Sequence, residues 1–161
     1  MIWRWRRRGG TGRARRGQAI TEMALMTPFF MLILLGALDL GRIYIEQNRL
    51  NSAVKEAAIL GLYQPDPATV QARAFQEVTD PATGRKLLGT EGSPPGGEFW
   101  VEIACYEADG TAVGDCVNDF IPAPGAYIEV TGYHIFRPIT SQILRFLPAD
   151  GTIKKTVRAV Y

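Results

Sequence analysis

Hydrophobic and polar positions divide this chain into three stretches with different periods. From Met23 to Leu38 the sequence MALMTPFFMLILLGAL has no charge, and extended back to Gln18 the apolar run covers 21 residues interrupted only by Glu22. At ~1.5 Å per residue such a helix is about 30 Å long, the thickness of a bilayer hydrocarbon core. Beyond Asp39 the pattern becomes amphipathic. Leu40, Ile43, Gln47, Leu50, Val54, Ala57 and Gly61 recur at alternating spacings of three and four, a narrow helical seam. Its lower part, Leu50 to Gly61, is expected to pack on the chain's own domain, with helix–helix contact between subunits as the other use of the seam. Arg42, Glu46 and Arg49 lie on the other side, spaced to pair along the helix. Gln64-Pro65-Asp66-Pro67 stops that pattern near Tyr63. Residues 20–62 as one helix measure about 65 Å.

The remainder reads as short elements. Asp66-Pro67 has the form of an N-cap followed by proline at the first helical position, so residues 67–78 are predicted as a helix with Val70, Ala74 and Val78 on one face. Residues 80–98, rich in glycine and proline, read as a loop. Phe99, Val101, Ile103 and Cys105 alternate along a predicted strand, with further strands at 126–136 and 153–160. A short helix at 139–146 opens at Pro138. The fold class expected is α+β: a long N-terminal helix packed on a small antiparallel sheet. The domain organisation is a basic leader at 1–17, a transmembrane helix at 18–38, its amphipathic extension at 39–63, and an α+β domain at 64–161.

Charge sharpens this picture. Seven arginines and no acid occupy residues 1–17, leaving 11 of the 18 basic residues against all 16 acids in the rest of the chain. A basic head before an apolar span follows the positive-inside rule, which puts the N-terminus in the cytoplasm and the body across the membrane. The arginines, interleaved with Trp3 and Trp5, also fit a nucleic-acid arm. Topology alone accounts for them, so no nucleic-acid partner is expected. An ordinary secretory signal would end in a small-x-small cleavage site. Here the run closes Leu35-Gly36-Ala37-Leu38-Asp39 and helix continues beyond it.

Glu22 is the anomaly. A carboxylate inside an apolar span is costly and usually has a partner. If the chain were cut after Gly17, the new ammonium on Gln18 would lie one helical turn before Glu22, on the same face. The Glu22 charge would also complement the helix dipole in the first turn. Pro28 removes a backbone hydrogen bond within the span and favours a kink, and Gly36 and Gly41 permit close approach of a second helix. Prolines and glycines are also ordinarily tolerated in membrane helices.

At these residues the chain resembles a known family. Gly17 followed by Gln18-Ala19-Ile20-Thr21-Glu22 resembles the class III signal peptide of type IV pilins. The longer stretch from Arg15 to Ala58, with Pro28 and Asp39-Leu40-Gly41-Arg42 at the exit, is similar to the TadE-like pseudopilins of the tight-adherence (Tad/Flp) pilus system. The resemblance implies cleavage after Gly17 by a prepilin peptidase and an assembly role for Glu22. It implies partners among other pilins, the inner-membrane assembly platform and the lipid bilayer. The expected location is the bacterial inner membrane, single-pass, with a periplasmic C-terminal domain and possible incorporation into a surface pilus. Met23 stands where major pilins of this system carry tyrosine, and the body is larger, which favours a minor pilin or pseudopilin.

Little points to catalysis. The chain has one histidine, His134, and two cysteines, too few for most His/Cys zinc sites. No phosphate-binding loop or nucleophile elbow is present, and no enzymatic activity and no cofactor are expected. In an oxidising compartment Cys105 and Cys116 invite a disulfide across the turn-prone Ala108-Asp109-Gly110, with two free buried thiols as the alternative. Two other readings stand beside the pilin-like one: an uncleaved signal-anchored scaffold or binding protein, and a secreted enzyme with a cleaved leader.

Overall fold

Proline chemistry sets the boundaries of the first helices. The structure, a computed structural model, describes residues 11–92, 97–143 and 151–161. Helix α1 spans Thr11–Tyr63 and runs through Pro28. It ends where Gln64 N–H closes the last turn on Leu60 O at 2.9 Å, just before Pro65. Helix α2, Pro67–Glu77, starts on Asp66, whose carboxylate accepts from Thr69 N at 3.0 Å and from Thr69 Oγ1 at 2.6 Å. An extended N-cap followed by proline needs no N–H from the proline itself. Val78, expected as the last helical residue, is instead the C-cap and is buried.

The chain forms two units, 1–38 and 39–161. In the first, the described part is helix, and its large apolar side chains from Ile20 through Leu38 are exposed except for the half-buried Leu35. The second unit carries the sheet, with strands β1 (Phe99–Tyr106), β2 (Ala112–Val113), β3 (Tyr127–Phe136) and β4 (Gly151–Val160). Their order is β2-β1-β3-β4, antiparallel throughout. Three strands were expected. The fourth, β2, pairs Cys105 with Val113 and Tyr106 with Ala112, and at two residues it is too short to carry an alternation. The turn between β1 and β2 depends on Gly110 at φ 87°, with Asp109 Oδ1 accepting from Thr111 N at 2.8 Å.

Alternation along β1 and β3 turns Phe99, Val101, Cys105, Ile128, Val130 and His134 to one face, opposite one another in register. Against that face pack Leu50, Val54 and Ala57 from α1 and Val70 and Ala74 from α2, all fully buried. Phe75 meets Phe99 edge-on, with ring centroids 5.3 Å apart. Gly132 permits the close approach of α1 to β3: a Cβ there would lie 2.5 Å from Val54 Cγ2 and 2.9 Å from Leu50 Cδ1. Cys105 and Cys116 are joined by a disulfide, the bonded one of the two expected states. Helix α3, Ile139–Ile143, follows Pro138 as expected. Residues 144–146 of that predicted helix, the basic residues within 1–10, and residues 93–96 of the predicted loop lie outside the described residues.

Candidate functional site

The first group of predicted site residues lies at the start of the apolar helix. Gly17, Gln18 and Glu22 are exposed, and among the described residues nothing beyond the adjoining helix turn stands within 4 Å of where a Gly17 side chain would begin. Gln18 Nε2 donates to Glu22 Oε1 at 2.9 Å, so in the intact chain the side-chain amide one turn earlier partners the carboxylate. Thr21 Oγ1 donates to Gln18 O at 2.8 Å, and Thr27 Oγ1 to Met23 O at 2.7 Å. Such back-bonding satisfies hydroxyls in apolar helices without an external partner. Pro28 has no N–H, so Ala24 loses its usual helical donor. Gly36 and Gly41 each face open space among the described residues.

The most apolar 18-residue window of this helix has a mean hydropathy of 2.0 and is only 6% buried. A core helix of a soluble fold would hide such a surface. This one leaves Leu25 76% and Met23 71% exposed, as a helix made for lipid does. The chain therefore has an N-terminal apolar helix suited to membrane anchoring.

The predicted seam splits along its length. Leu50, Val54 and Ala57 are fully buried under the sheet, and Gly61 lies 3.5 Å from Ile128 and Val70 at its missing Cβ. Ile43 is half-buried, whereas Leu40 is 69% exposed. The reason is the reach of the sheet, which covers α1 from Leu50 onward. Leu40, Tyr44 and Ile45 form an open apolar surface above it.

Around the helix exit the structure assembles a polar cluster that spacing alone did not reveal. Asp39, 5% exposed, accepts from Ile139 N at 2.8 Å, from Thr140 N at 2.9 Å and from Thr140 Oγ1 at 2.7 Å. It caps a helix 100 residues away in sequence. Burial works to raise the Asp39 carboxyl, but the Thr140 and Ile139 N–H groups, the Thr140 hydroxyl and the nearby Arg42 outweigh it and hold it below the usual carboxylate range. Arg42 stands 3.8 Å from Asp39 and 3.7 Å from Glu46, with its guanidinium over the Phe136 ring.

Glu46 was expected to pair along the helix. Its nearer partner is His134 on β3, Nε2 to Oε2 at 3.0 Å, both side chains well buried. His134 Nδ1 stands 3.3 Å from Glu98 O. Arg49, expected to join the helix pairing, makes no ion pair among the described residues. The pairing of positions 39, 42 and 46 with strands and loops near 98 and 134–140 left no mark in periodicity. The only available signal was that Asp39 and Glu46 are acids beside an apolar seam.

No group of His, Cys, Asp or Glu capable of holding a metal is present among the described residues. No curated protein and no solved structure matches the chain. Residues 17–58 match the family model described as TadE-like protein. That match begins at the Gly17-Gln18 junction, includes Glu22, Pro28 and the Asp39–Arg42 exit, and runs into the buried seam. Over that segment the chain is similar to TadE-like proteins.

Proposed function

We propose that this chain is a minor pilin or pseudopilin of a tight-adherence system, matured by a prepilin peptidase that cuts between Gly17 and Gln18. The observation that carries the reading is the junction itself: Gly17-Gln18 and Glu22 open an exposed apolar helix inside the TadE-like segment. In the mature protein the Gln18 ammonium takes over as the Glu22 partner, replacing the amide hydrogen bond of the uncut chain. A helix that enters a subunit assembly buries that carboxylate against a neighbour's ammonium, which sets axial register. The arginines before Gly17 keep the N-terminus cytoplasmic, and the disulfide-bonded domain stands in the periplasm.

The chain acts by assembly and not as an enzyme. Its partners are the peptidase, other pilins or pseudopilins and the inner-membrane assembly platform, either within a pilus or at its base. The exposed apolar surface of Leu40, Tyr44 and Ile45 continues the helix face available to such neighbours.

Intact mass and N-terminal sequencing of the membrane-extracted protein, from cells with and without the peptidase, test this. A peptidase-dependent start at Gln18 is expected. A start at Met1 in both strains would leave a plain signal anchor, and a start beyond Leu38 a secreted protein; either refutes the reading.

A further inference from the structure

A pocket of about 430 Å³ opens in the globular unit between α1 at residues 42–49, the loop at 85–89 and the end of β3 at 134–137. Its lining holds five cations, Arg42, Arg49, Arg85, Lys86 and Arg137, against two carboxylates, Glu46 and Glu98. Both carboxylates are already engaged: Glu46 with His134 at 3.0 Å and Arg42 at 3.7 Å, Glu98 with Arg137 at 2.9 Å. Lys86 is paired with Glu91. Arg85 lies within electrostatic reach of Asp80, but neither it nor Arg49 makes an ion pair among the described residues. Two guanidiniums from separate elements thus share one concave site, neither of them in an ion pair among the described residues, with Asp80 acting on Arg85 only at longer range.

Like charges gathered in a pocket repel unless an anion neutralises them or water screens them. The planar fork of arginine matches a phosphate oxyanion, donating through two N–H groups at once. The setting adds a source. A chain with an apolar helix suited to a bilayer meets phosphate oxyanions as lipid headgroups as well as free in solution.

We propose that this pocket binds a phosphate-type oxyanion, presented as the headgroup of an anionic phospholipid or as free phosphate, with Arg49 and Arg85 as its main ligands. The proposal does not depend on leader cleavage or on the pilus reading.

The test uses the full chain in a neutral detergent. Native mass spectrometry measures retained phosphatidylglycerol against phosphatidylcholine, and calorimetry measures inorganic phosphate in parallel. Retention of phosphatidylglycerol about tenfold above phosphatidylcholine is expected, falling about tenfold in the Arg49→Gln, Arg85→Gln double variant. Arg158→Gln, a cation held by Glu129 elsewhere on the sheet, serves as the control and leaves retention unchanged. On the unaltered protein, inorganic phosphate displaces the lipid if both occupy the same site. A phosphate signal lost in the double variant without lipid preference also supports the site and assigns it to free phosphate. Equal retention of both lipids with no phosphate signal overturns the proposal. Binding of either probe that survives the double variant overturns it as well.

Discussion

Removing the Asp39 carboxylate is the most informative single perturbation of the globular unit. Asp39→Ala takes away three acceptor contacts, to Ile139 N, Thr140 N and Thr140 Oγ1, and leaves two backbone donors at the start of α3 without their partner. Loss of an N-cap costs about 0.5–2 kcal/mol, and a hydrogen bond to a charged group contributes about 1.5–3 kcal/mol. Some of this is recovered when water reaches the freed N–H groups, so a net loss of about 2 kcal/mol is expected. For a unit of this size that corresponds to a melting temperature lower by roughly 6–10 °C. Asp39→Asn keeps the shape and one acceptor oxygen, and should lose about half as much.

The sign of the pH dependence follows from the depressed carboxyl. A group whose folded pKa lies below its unfolded value stabilises the fold above the unfolded value, about 3.9 for aspartate. That contribution is lost as pH falls through the folded pKa. The difference between the native chain and Asp39→Asn is therefore full near neutrality and shrinks progressively below about pH 4. Thermal unfolding of the full chain in detergent measures it, together with hydrogen exchange at the Ile139 and Thr140 amides. Unchanged protection of those two amides in Asp39→Ala, or a stability difference that does not narrow in acid, would refute the capping argument.

Three further outcomes are expected. Replacing Cys105 and Cys116 together by serine removes a cross-link of sequence separation 11. Chemical denaturation should show a loss of about 2–3 kcal/mol, matched by the reduced native protein. Gly132→Ala forces a methyl group against Val54 and Leu50, both fully buried, and should cost about 1–3 kcal/mol in the same assay. Glu22→Ala should leave membrane insertion and N-terminal processing intact while reducing assembly with other subunits, read by co-purification; normal assembly would remove the register role from Glu22.

Much of this protein was legible along the chain because the forces involved are local. The apolar run after Glu22 defines a helix for lipid whatever the rest of the chain does, since hydrophobicity at that length needs no tertiary partner. Asp66-Pro67 and the paired prolines around it set the end of α1 and the start of α2 through backbone geometry alone. Period-2 alternation of Phe99, Val101, Ile103 and Cys105 exposed β1, because one of its faces had to be buried. The family-bearing segment is likewise continuous in sequence, which is why residue order sufficed to find it.

Tertiary structure decided what lay between distant residues. Strand β2 exists because the Gly110 turn returns the chain along β1 beside the disulfide, and two residues carry no period to read. The seam of α1 recurs at even spacing from Leu40 to Gly61, and the part from Leu50 onward is buried beneath the sheet, where β3 crosses and Gly132 leaves space; the spacing itself does not mark where coverage ends. Glu46 reads as a member of a charged helix side and Asp39 as the end of the apolar run, but folding gives Asp39 to the amides of α3 and Glu46 to His134, 88 residues away. Arg49 is thereby left beside Arg85 in a basic pocket. Charge spacing along one helix predicts only partners on that helix. Which carboxylate is taken by another element, and which cation is left without one, follows from the packing of the sheet against α1.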